Sequence, residues 1–249
     1  MRESTPAIQV DGLSVAYGHV PVLWKVDFCV PSGIVMGLVG PNGAGKSSLI
    51  KAILGLVPTL EGTVRVLGEP FHPKRQVVGY VPQRSDIDWD FPTTVLDLVM
   101  MGTYGRLGWF GRPGAKEREE SMEALRRVEM DDLQSRQIGE LSGGQQQRAF
   151  LARAFVQDAP ILFLDEPFAG VDMKTERSIV QLLHQLRDEG KTIIVVQHDL
   201  KTIDQYVDHV TLVNRKIVSS GPVTTACTPE LVEAAYGGSV NLESGDQIG

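Results

Sequence analysis

Residues 8–30 show a β-rich pattern of apolar and polar side chains. Apolar residues recur at short intervals from Ile8 to Val30, and Tyr17, Gly18 and His19 interrupt them. An alternation with a period close to two predicts strands, and a glycine-containing break predicts a turn between them. We therefore expect two strands that form an antiparallel β portion at the start of the chain.

Short apolar runs follow, and the first of them is continuous apart from Gly37, which indicates a strand that is buried on both faces. The first run covers residues 34–39 and leads through a glycine-rich turn into a helix-like segment at residues 46–56. Further runs alternate with helical segments and cover residues 63–67, 77–81, 161–164, 192–196 and 210–213. This alternation predicts an α/β fold with a largely parallel sheet.

The middle of the chain follows a helical pattern instead. Between residues 84 and 158 no convincing strand pattern occurs, and helical periodicity covers residues 95–101, 116–129 and 143–156. We expect one domain, residues 1–236, in which a helical subdomain at 84–158 is inserted into a core of residues 1–83 and 159–236. The polar, glycine-containing tail at 237–249 is expected to be loosely ordered.

The composition narrows the function classes. The chain is 42% hydrophobic and 22% charged, as folded globular proteins are, and its formal net charge of -7 argues against gripping nucleic acid over a broad surface. Cys29 and Cys227 lack the spacing of a zinc site or of a disulfide framework, so we expect reduced thiols. No signal-peptide block or membrane-spanning apolar run is present in the sequence, and we expect a cytoplasmic chain.

A phosphate-binding loop is predicted between the first buried run and the helix after it. The motif G-x-x-x-x-G-K-[ST] lets backbone N–H groups surround phosphate oxygens at a helix N-terminus. Lys46 would reach the β- and γ-phosphates of a nucleotide, and the Ser47 hydroxyl would bind Mg²⁺. The predicted nucleotide-binding residues are Gly40, Pro41, Asn42, Gly43, Ala44, Gly45, Lys46, Ser47 and Ser48.

Two carboxylates follow the apolar run at residues 161–164. Asp165 and Glu166 are thereby predicted at the carboxyl end of a buried strand, where α/β sheets bind ligands. Asp165 would hold Mg²⁺ through water, and Glu166 would act as the general base that orients and polarises the attacking water. Together with the loop, this pair predicts a nucleotide hydrolase and leaves kinases, GTPases and transport motors open.

A third motif separates these classes. Leu141 is followed by Ser142, Gly143, Gly144 and Gln145, which lead into a helix. This run resembles the signature segment of ABC ATPases, and the resemblance extends from Ile8 to about Tyr236. Ser142 and the glycines at a helix start would offer N–H groups to a γ-phosphate. The resemblance implies a head-to-tail homodimer in which this segment faces the ATP of the partner subunit.

The resemblance implies further site residues. Tyr17 matches the aromatic residue that stacks on adenine, and Gln83 matches the glutamine that binds Mg²⁺ or water. His198 matches the histidine that contacts the γ-phosphate and helps to hold Glu166 and the water. Asp172 remains a candidate for a contact across the dimer, although Ala169 stands where many members have serine.

The stretch at residues 91–113 resembles ABC importers for manganese, zinc or iron. This implies separate membrane permease subunits and, indirectly, a metal-binding substrate-binding protein, with the ATPase on the cytoplasmic side of the membrane. Trp89, Phe91, Trp109 and Phe110 would form an apolar groove for a permease helix or else pack inside the insert. Manganese is the first expectation for the cargo.

Other functions remain open at this point. The chain could serve another class of ABC importer or an exporter, and only the resemblance at residues 91–113 separates these. A soluble ABC ATPase in translation or DNA maintenance usually has two cassettes or long insertions, whereas this chain has one cassette and no repeat. A scaffold that binds ATP without hydrolysing it is disfavoured by Lys46, Glu166 and His198.

Overall fold

The computed structural model describes residues 5–72, 75–108, 111–198, 200 and 202–237. The chain divides into two compact units. The first unit comprises Met1–Phe71 and Val196–Gly249, and the second comprises His72–Val195. Apart from Gly237, the tail that was expected to be loosely ordered lies outside the described residues. No described helix has the length and apolar character that crossing a membrane requires.

Strands and helices alternate along the chain. The strands are β1 (Ile8–Tyr17), β2 (Val20–Val30), β3 (Val35–Val39), β4 (Glu61–Val66), β5 (Glu69–Pro70), β6 (Val78–Val81), β7 (Ile161–Asp165), β8 (Thr192–Gln197), β9 (His209–Val213) and β10 (Ile217–Pro222). The helices are α1 (Lys46–Ile53), α2 (Val95–Met101), α3 (Tyr104–Leu107), α4 (Ala115–Arg127), α5 (Gly143–Val156), α6 (Met173–Asp188), α7 (Val223–Ala226) and α8 (Pro229–Tyr236).

The first unit contains an antiparallel sheet and the strand that precedes the phosphate loop. The antiparallel sheet has the order β2-β1-β4-β5, and the turn at Gly18 joins its first two strands. Strand β3 pairs in parallel with β9, and β9 pairs antiparallel with β10. All five residues of β3 are buried, as its continuous apolar run predicts.

The second unit combines parallel strands with most of the helices. Strand β6 pairs in parallel with β7, which lies next to β8, a strand that begins in this unit. Helices α2, α4 and α5 pack on one another. Among the described residues from 84 to 158 there is no strand, only an isolated bridge between Thr94 and Gln137. The helical character expected of this segment is therefore present.

The predicted fold class, an α/β core with a phosphate-binding loop, an antiparallel β portion and a helical insert, is confirmed. Helices α2 and α5 have the predicted bounds. Helix α4 ends at Arg127 rather than 129, because Glu129 has a left-handed φ of 55° that a helix cannot continue through. Strand β10 was not predicted, since Ser219, Ser220 and Gly221 are more typical of a turn.

Strand β3 enters the phosphate loop at a very close backbone approach. A Cβ placed on Gly40 would lie 2.0 Å from the carbonyl oxygen of Val213, the last residue of β9. Gly43, three residues later, has a φ of +77° but open space around the position of a Cβ. Glycine is therefore required at position 40 because a side chain would collide with the Val213 carbonyl. At position 43 it is favoured because the backbone is left-handed.

These two glycines predict different costs of substitution. Gly40→Ala should lower the free energy of unfolding by about 2–3 kcal/mol, because β9 or the loop must shift to admit the methyl group. Gly43→Ala in the same loop serves as the control and should cost only about 1 kcal/mol, for the left-handed conformation. Urea unfolding of the purified variants measures both, and equal losses would contradict the assigned contact.

Candidate functional site

The phosphate loop has the backbone that its glycines predict. It spans the residues between the end of β3 at Val39 and the start of α1 at Lys46. Gly45 caps the helix with a φ of 97°, a left-handed value that favours glycine. Ser47 and Ser48 occupy the first turn of α1 and are half-buried, and Asn42 is exposed at the tip of the loop. A phosphate site formed by a helix N-terminus has this arrangement.

Neighbouring strands hold the loop in place. The backbone N–H of Arg215, between β9 and β10, donates to the Ala44 carbonyl at 2.8 Å. A Cβ on Gly45 would lie 2.6 Å from Cδ2 of Leu23, which is a fully buried residue of β2. Within the loop, the Ala44 N–H donates to the Pro41 carbonyl at 3.1 Å. The loop is therefore fixed by strand β2 and by the turn between β9 and β10, as well as by its own turn.

Lys46 is the first residue of α1 and directly follows the loop. The residue is only 7% exposed, and its Nζ donates to the carbonyl oxygens of Gly40 at 2.6 Å and Pro41 at 3.0 Å. A buried ammonium group requires such partners, because it has lost its contact with water. The two bonds hold the cation against the start of the loop, where a phosphate group would meet it.

The acidic pair lies at the end of β7. Asp165 is the last residue of this strand and is 2% exposed, and Glu166 follows it. Glu166 has a φ of 51°, a left-handed value that costs free energy in a residue with a side chain. The Gln83 side-chain amide donates to Glu166 Oε2 at 2.8 Å. The structure therefore brings together two predicted site residues that are far apart in the sequence, Gln83 as a residue that binds Mg²⁺ or water and Glu166 as the general base.

The proximity of Tyr80, in strand β6, to Asp165 was not predicted, because the apolar pattern of the strand indicates only a packing role for its residues. Burial, and then the negative charge of Asp165, raise the pKa of the Tyr80 phenol above its usual range. The phenol therefore stays protonated beside Asp165. A long-range contact of this kind leaves no local signal in the sequence.

The signature segment forms the N-terminal cap of helix α5. Ser142 Oγ accepts the N–H of Gln145 at 3.4 Å, and the Gln145 side chain accepts the N–H of Ser142 at 2.9 Å. This reciprocal capping box satisfies two donors at the start of the helix. Gly143 and Gly144 form its first turn, and Ser142 is exposed. The exposed cap is suited to an anion.

Arg84 is a second residue that the sequence pattern did not single out. Its Nε donates to Oε1 of Gln146 in α5 at 3.0 Å, and a Cβ on Gly143 would lie 3.0 Å from its Nη1. Arg84 directly follows Gln83 in the chain. Arg84 therefore lies against the start of the signature helix.

Asp172 caps helix α6. Its carboxylate accepts the N–H groups of Lys174 and Thr175, both at 2.9 Å, and the Thr175 hydroxyl at 2.8 Å. The bonds from the backbone and side chain of Thr175 hold the pKa of the Asp172 carboxyl below its usual range. The carboxylate is exposed and ionised, and its contact across a dimer stays a prediction.

Tyr17 and His198 both lie at strand ends of the first unit. Tyr17 ends β1 and is 49% exposed, which leaves its ring accessible for stacking. His198 follows β8 directly and is exposed, and its backbone carbonyl accepts the Tyr236 hydroxyl at 2.9 Å. Their predicted contacts with adenine and the γ-phosphate remain predictions.

Two of the four aromatic residues considered for an apolar groove lie among the described residues, namely Trp89 and Phe91. Phe91 is 52% exposed, in agreement with a docking surface. Trp89 instead packs edge-on against Phe150 of α5, at 5.5 Å between ring centroids, and donates its indole N–H to the Arg84 carbonyl. Trp89 therefore contributes to packing of the insert. Trp109 and Phe110 lie outside the described residues.

The sequence is similar to known transport proteins. A family model described as ABC transporter matches residues 23–169. The zinc transport system ATP-binding protein TroB of Treponema pallidum (strain Nichols) is 55% identical over 235 residues, which are 94% of this chain and 88% of that protein. The manganese transport system ATP-binding protein MntB of Bacillus subtilis (strain 168) is 49% identical over 231 residues, 93% of this chain and 92% of that protein.

The fold is also similar to solved structures of proteins from ABC transporters. CbiO1 of Clostridium perfringens, part of the ABC transporter complex cbiONQ, matches with a TM-score of 0.77 and 26% identity, over 92% of this chain and 94% of that one. A nucleotide-free ATP-binding cassette from an ABC transporter matches with a TM-score of 0.81 at 23% identity, over 92% and 98% of the two chains, and supports the fold alone. With the family model and close relatives covering most of its length, the chain belongs to the ABC transporter family.

Proposed function

We propose that this chain is the ATP-hydrolysing subunit of an ABC importer for a divalent metal ion, with manganese as the first candidate and zinc or iron as alternatives. The observation that carries the proposal is a complete phosphate loop together with a capped signature helix in one chain. Supporting it, relatives at 49–55% identity are named for manganese and zinc transport. ATP is the substrate, and the metal ion is the cargo.

Three residues that we propose as Mg²⁺ ligands carry the kind of oxygen atom that this ion requires. Ser47 offers a hydroxyl, Asp165 a carboxylate and Gln83 an amide oxygen, and hard oxygen ligands are those that Mg²⁺ prefers. The Gln83 amide nitrogen donates a hydrogen bond to Glu166. This bond uses the nitrogen of the Gln83 amide and leaves its oxygen available to bind Mg²⁺. Bound Mg²⁺ would neutralise charge on the phosphates. We propose that Asp165 acts through water.

Hydrolysis then depends on Glu166. As the general base, this carboxylate must be held where it can accept a proton from the attacking water. Its hydrogen bond with the Gln83 amide holds the carboxylate in place. Lys46 holds the β- and γ-phosphates, and His198 contacts the γ-phosphate and helps to orient the water. Tyr17 stacks on adenine.

The exposed cap of α5 supports a dimer. Ser142, Gly143, Gly144 and Gln145 present a helix N-terminus, whose partial positive charge favours an anion. We propose that this segment binds the ATP held by a second copy of the chain, and that Asp172 contributes from the partner side. Two copies in head-to-tail arrangement enclose two ATP molecules.

Membrane permease subunits complete the transporter. We propose that residues 84–158 form a helical subdomain within a single ATPase domain at 1–236 and that Phe91 contributes to the permease contact. The ATPase then lies on the cytoplasmic side of the cell membrane. A substrate-binding protein delivers the metal ion to the permease, and nucleic acid is not a partner.

Two variants separate binding from turnover. Lys46→Ala should weaken ATP binding, because the loop loses its buried cation. Glu166→Gln should keep ATP binding but trap an ATP-bound dimer, because only the base is lost. Light scattering in excess Mg-ATP measures the dimer, and nucleotide binding is measured by equilibrium titration. A Glu166→Gln variant that stays monomeric while it binds ATP would contradict the sandwich arrangement.

Uptake by cells identifies the cargo. Cells that lack the gene should recover accumulation of radioactive manganese when they express the wild-type chain, and they should not recover it with Glu166→Gln. Restoration of zinc or iron alone would keep the ATPase proposal and change the cargo. If no metal responds, metal import is wrong, and the chain serves another ABC function.

A further inference from the structure

We infer that Tyr236 is a positioning residue for His198, through the hydrogen bond from its hydroxyl to the His198 backbone carbonyl. The inference rests on the proposed role of His198 in ATP hydrolysis. The donor and acceptor oxygens are 2.9 Å apart, although the two residues are separated by 38 positions in the chain. Both lie in the first unit, Tyr236 at the end of α8 and His198 directly after β8.

Helix α8 is itself firmly placed, so its last residue has a fixed position. Thr228 caps its start by accepting the N–H of Leu231, and Pro229 occupies the first turn. Val232 and Ala235 are buried at 2% and 0% exposure. Gly237 ends the helix in a left-handed conformation, as a helix C-cap favours. Tyr236 therefore projects from an anchored backbone.

A second hydrogen bond ties the same end of α8 to the phosphate loop. The Asn214 side-chain amide donates to the Ala235 carbonyl at 2.9 Å. The next residue, Arg215, donates its backbone N–H to the Ala44 carbonyl at 2.8 Å. The last turn of α8 is thus connected on one side to the phosphate loop and on the other side to the residue that carries the His198 imidazole.

The hydroxyl acts on the backbone rather than on the imidazole. His198 is exposed, so burial does little to hold its side chain in one place. A fixed carbonyl restricts the ψ angle of His198. The direction in which the imidazole points from the backbone is restricted as well. A histidine that must meet a γ-phosphate works faster when its position is preset, since ordering it then costs less.

The test compares Tyr236→Phe with Tyr104→Phe in the purified full chain. The first change removes only the bonding hydroxyl, and the second removes one from a residue that is 51% exposed in the helical insert. Tyr236→Phe should lower kcat for ATP about two- to tenfold, the loss expected for one hydrogen bond, while KM changes less than about twofold. Tyr104→Phe should leave both parameters and the Tm unchanged.

Repeating the substitution in a chain that lacks His198 distinguishes a positioning role of Tyr236 from a general loss of structure. In a His198→Ala chain, Tyr236→Phe should cause no further fall in kcat, because the residue through which it acts is gone. An equal fall in both backgrounds, an unchanged kcat in the single variant, or a lowered Tm with raised KM would overturn the inference. Full activity of His198→Ala itself would overturn both the inference and the proposed role of His198.

A measurement independent of turnover accompanies the kinetics. The imidazole resonances of His198, assigned by their absence in His198→Ala, should shift or broaden in Tyr236→Phe and stay unchanged in Tyr104→Phe. Unchanged resonances in both variants would overturn the inference even where kcat falls. A wild-type level of activity in Tyr236→Phe leaves the proposed ATPase function intact, so the failures of the two proposals are distinguishable.

Discussion

The close approach of the phosphate loop to strand β9 is the constraint on which the rest of the first unit depends. Strand β3 pairs with β9 and runs directly into the loop, where Gly40 leaves room for only a hydrogen atom beside the Val213 carbonyl. Arg215, just after β9, then holds the Ala44 carbonyl. A loop fixed from two sides keeps its N–H groups in place before a phosphate binds, and this lowers the cost of ordering on binding.

In the second unit, the residues proposed to act on ATP also cap helices or hold one another. Ser142 caps α5, Asp172 caps α6, and Gln83 holds Glu166. The free energy that fixes each side chain therefore comes from interactions within the chain. Glu166 adds a strained backbone at the position where the proposed chemistry requires one orientation. The same hydrogen bonds therefore stabilise the fold and hold these side chains in place for the proposed hydrolysis.

Local patterns in the sequence were sufficient for the buried strands, the bounds of α2 and α5 and the phosphate loop, because each depends on neighbouring residues. Contacts between distant residues were beyond such reasoning. The bond of Tyr236 to His198 leaves no periodic pattern, and neither does that of Arg84 to Gln146. For Trp89 the sequence left a surface groove and packing inside the insert both open, because its sequence context does not reveal that Phe150 lies beside it. Strand β10 was not predicted because Ser219, Ser220 and Gly221 are residue types that favour turns.

The central claim is that each ATP site combines the loop of one copy with the signature segment of the other. Mixing two inactive variants tests it most directly. Lys46→Ala disables the loop, and Ser142→Asp keeps a good helix cap while placing negative charge beside the γ-phosphate. A mixed dimer would contain one intact site, so the account predicts that ATP hydrolysis reappears when the two variants are combined. A mixture as inactive as its separate components, although mixed dimers form, would contradict the account.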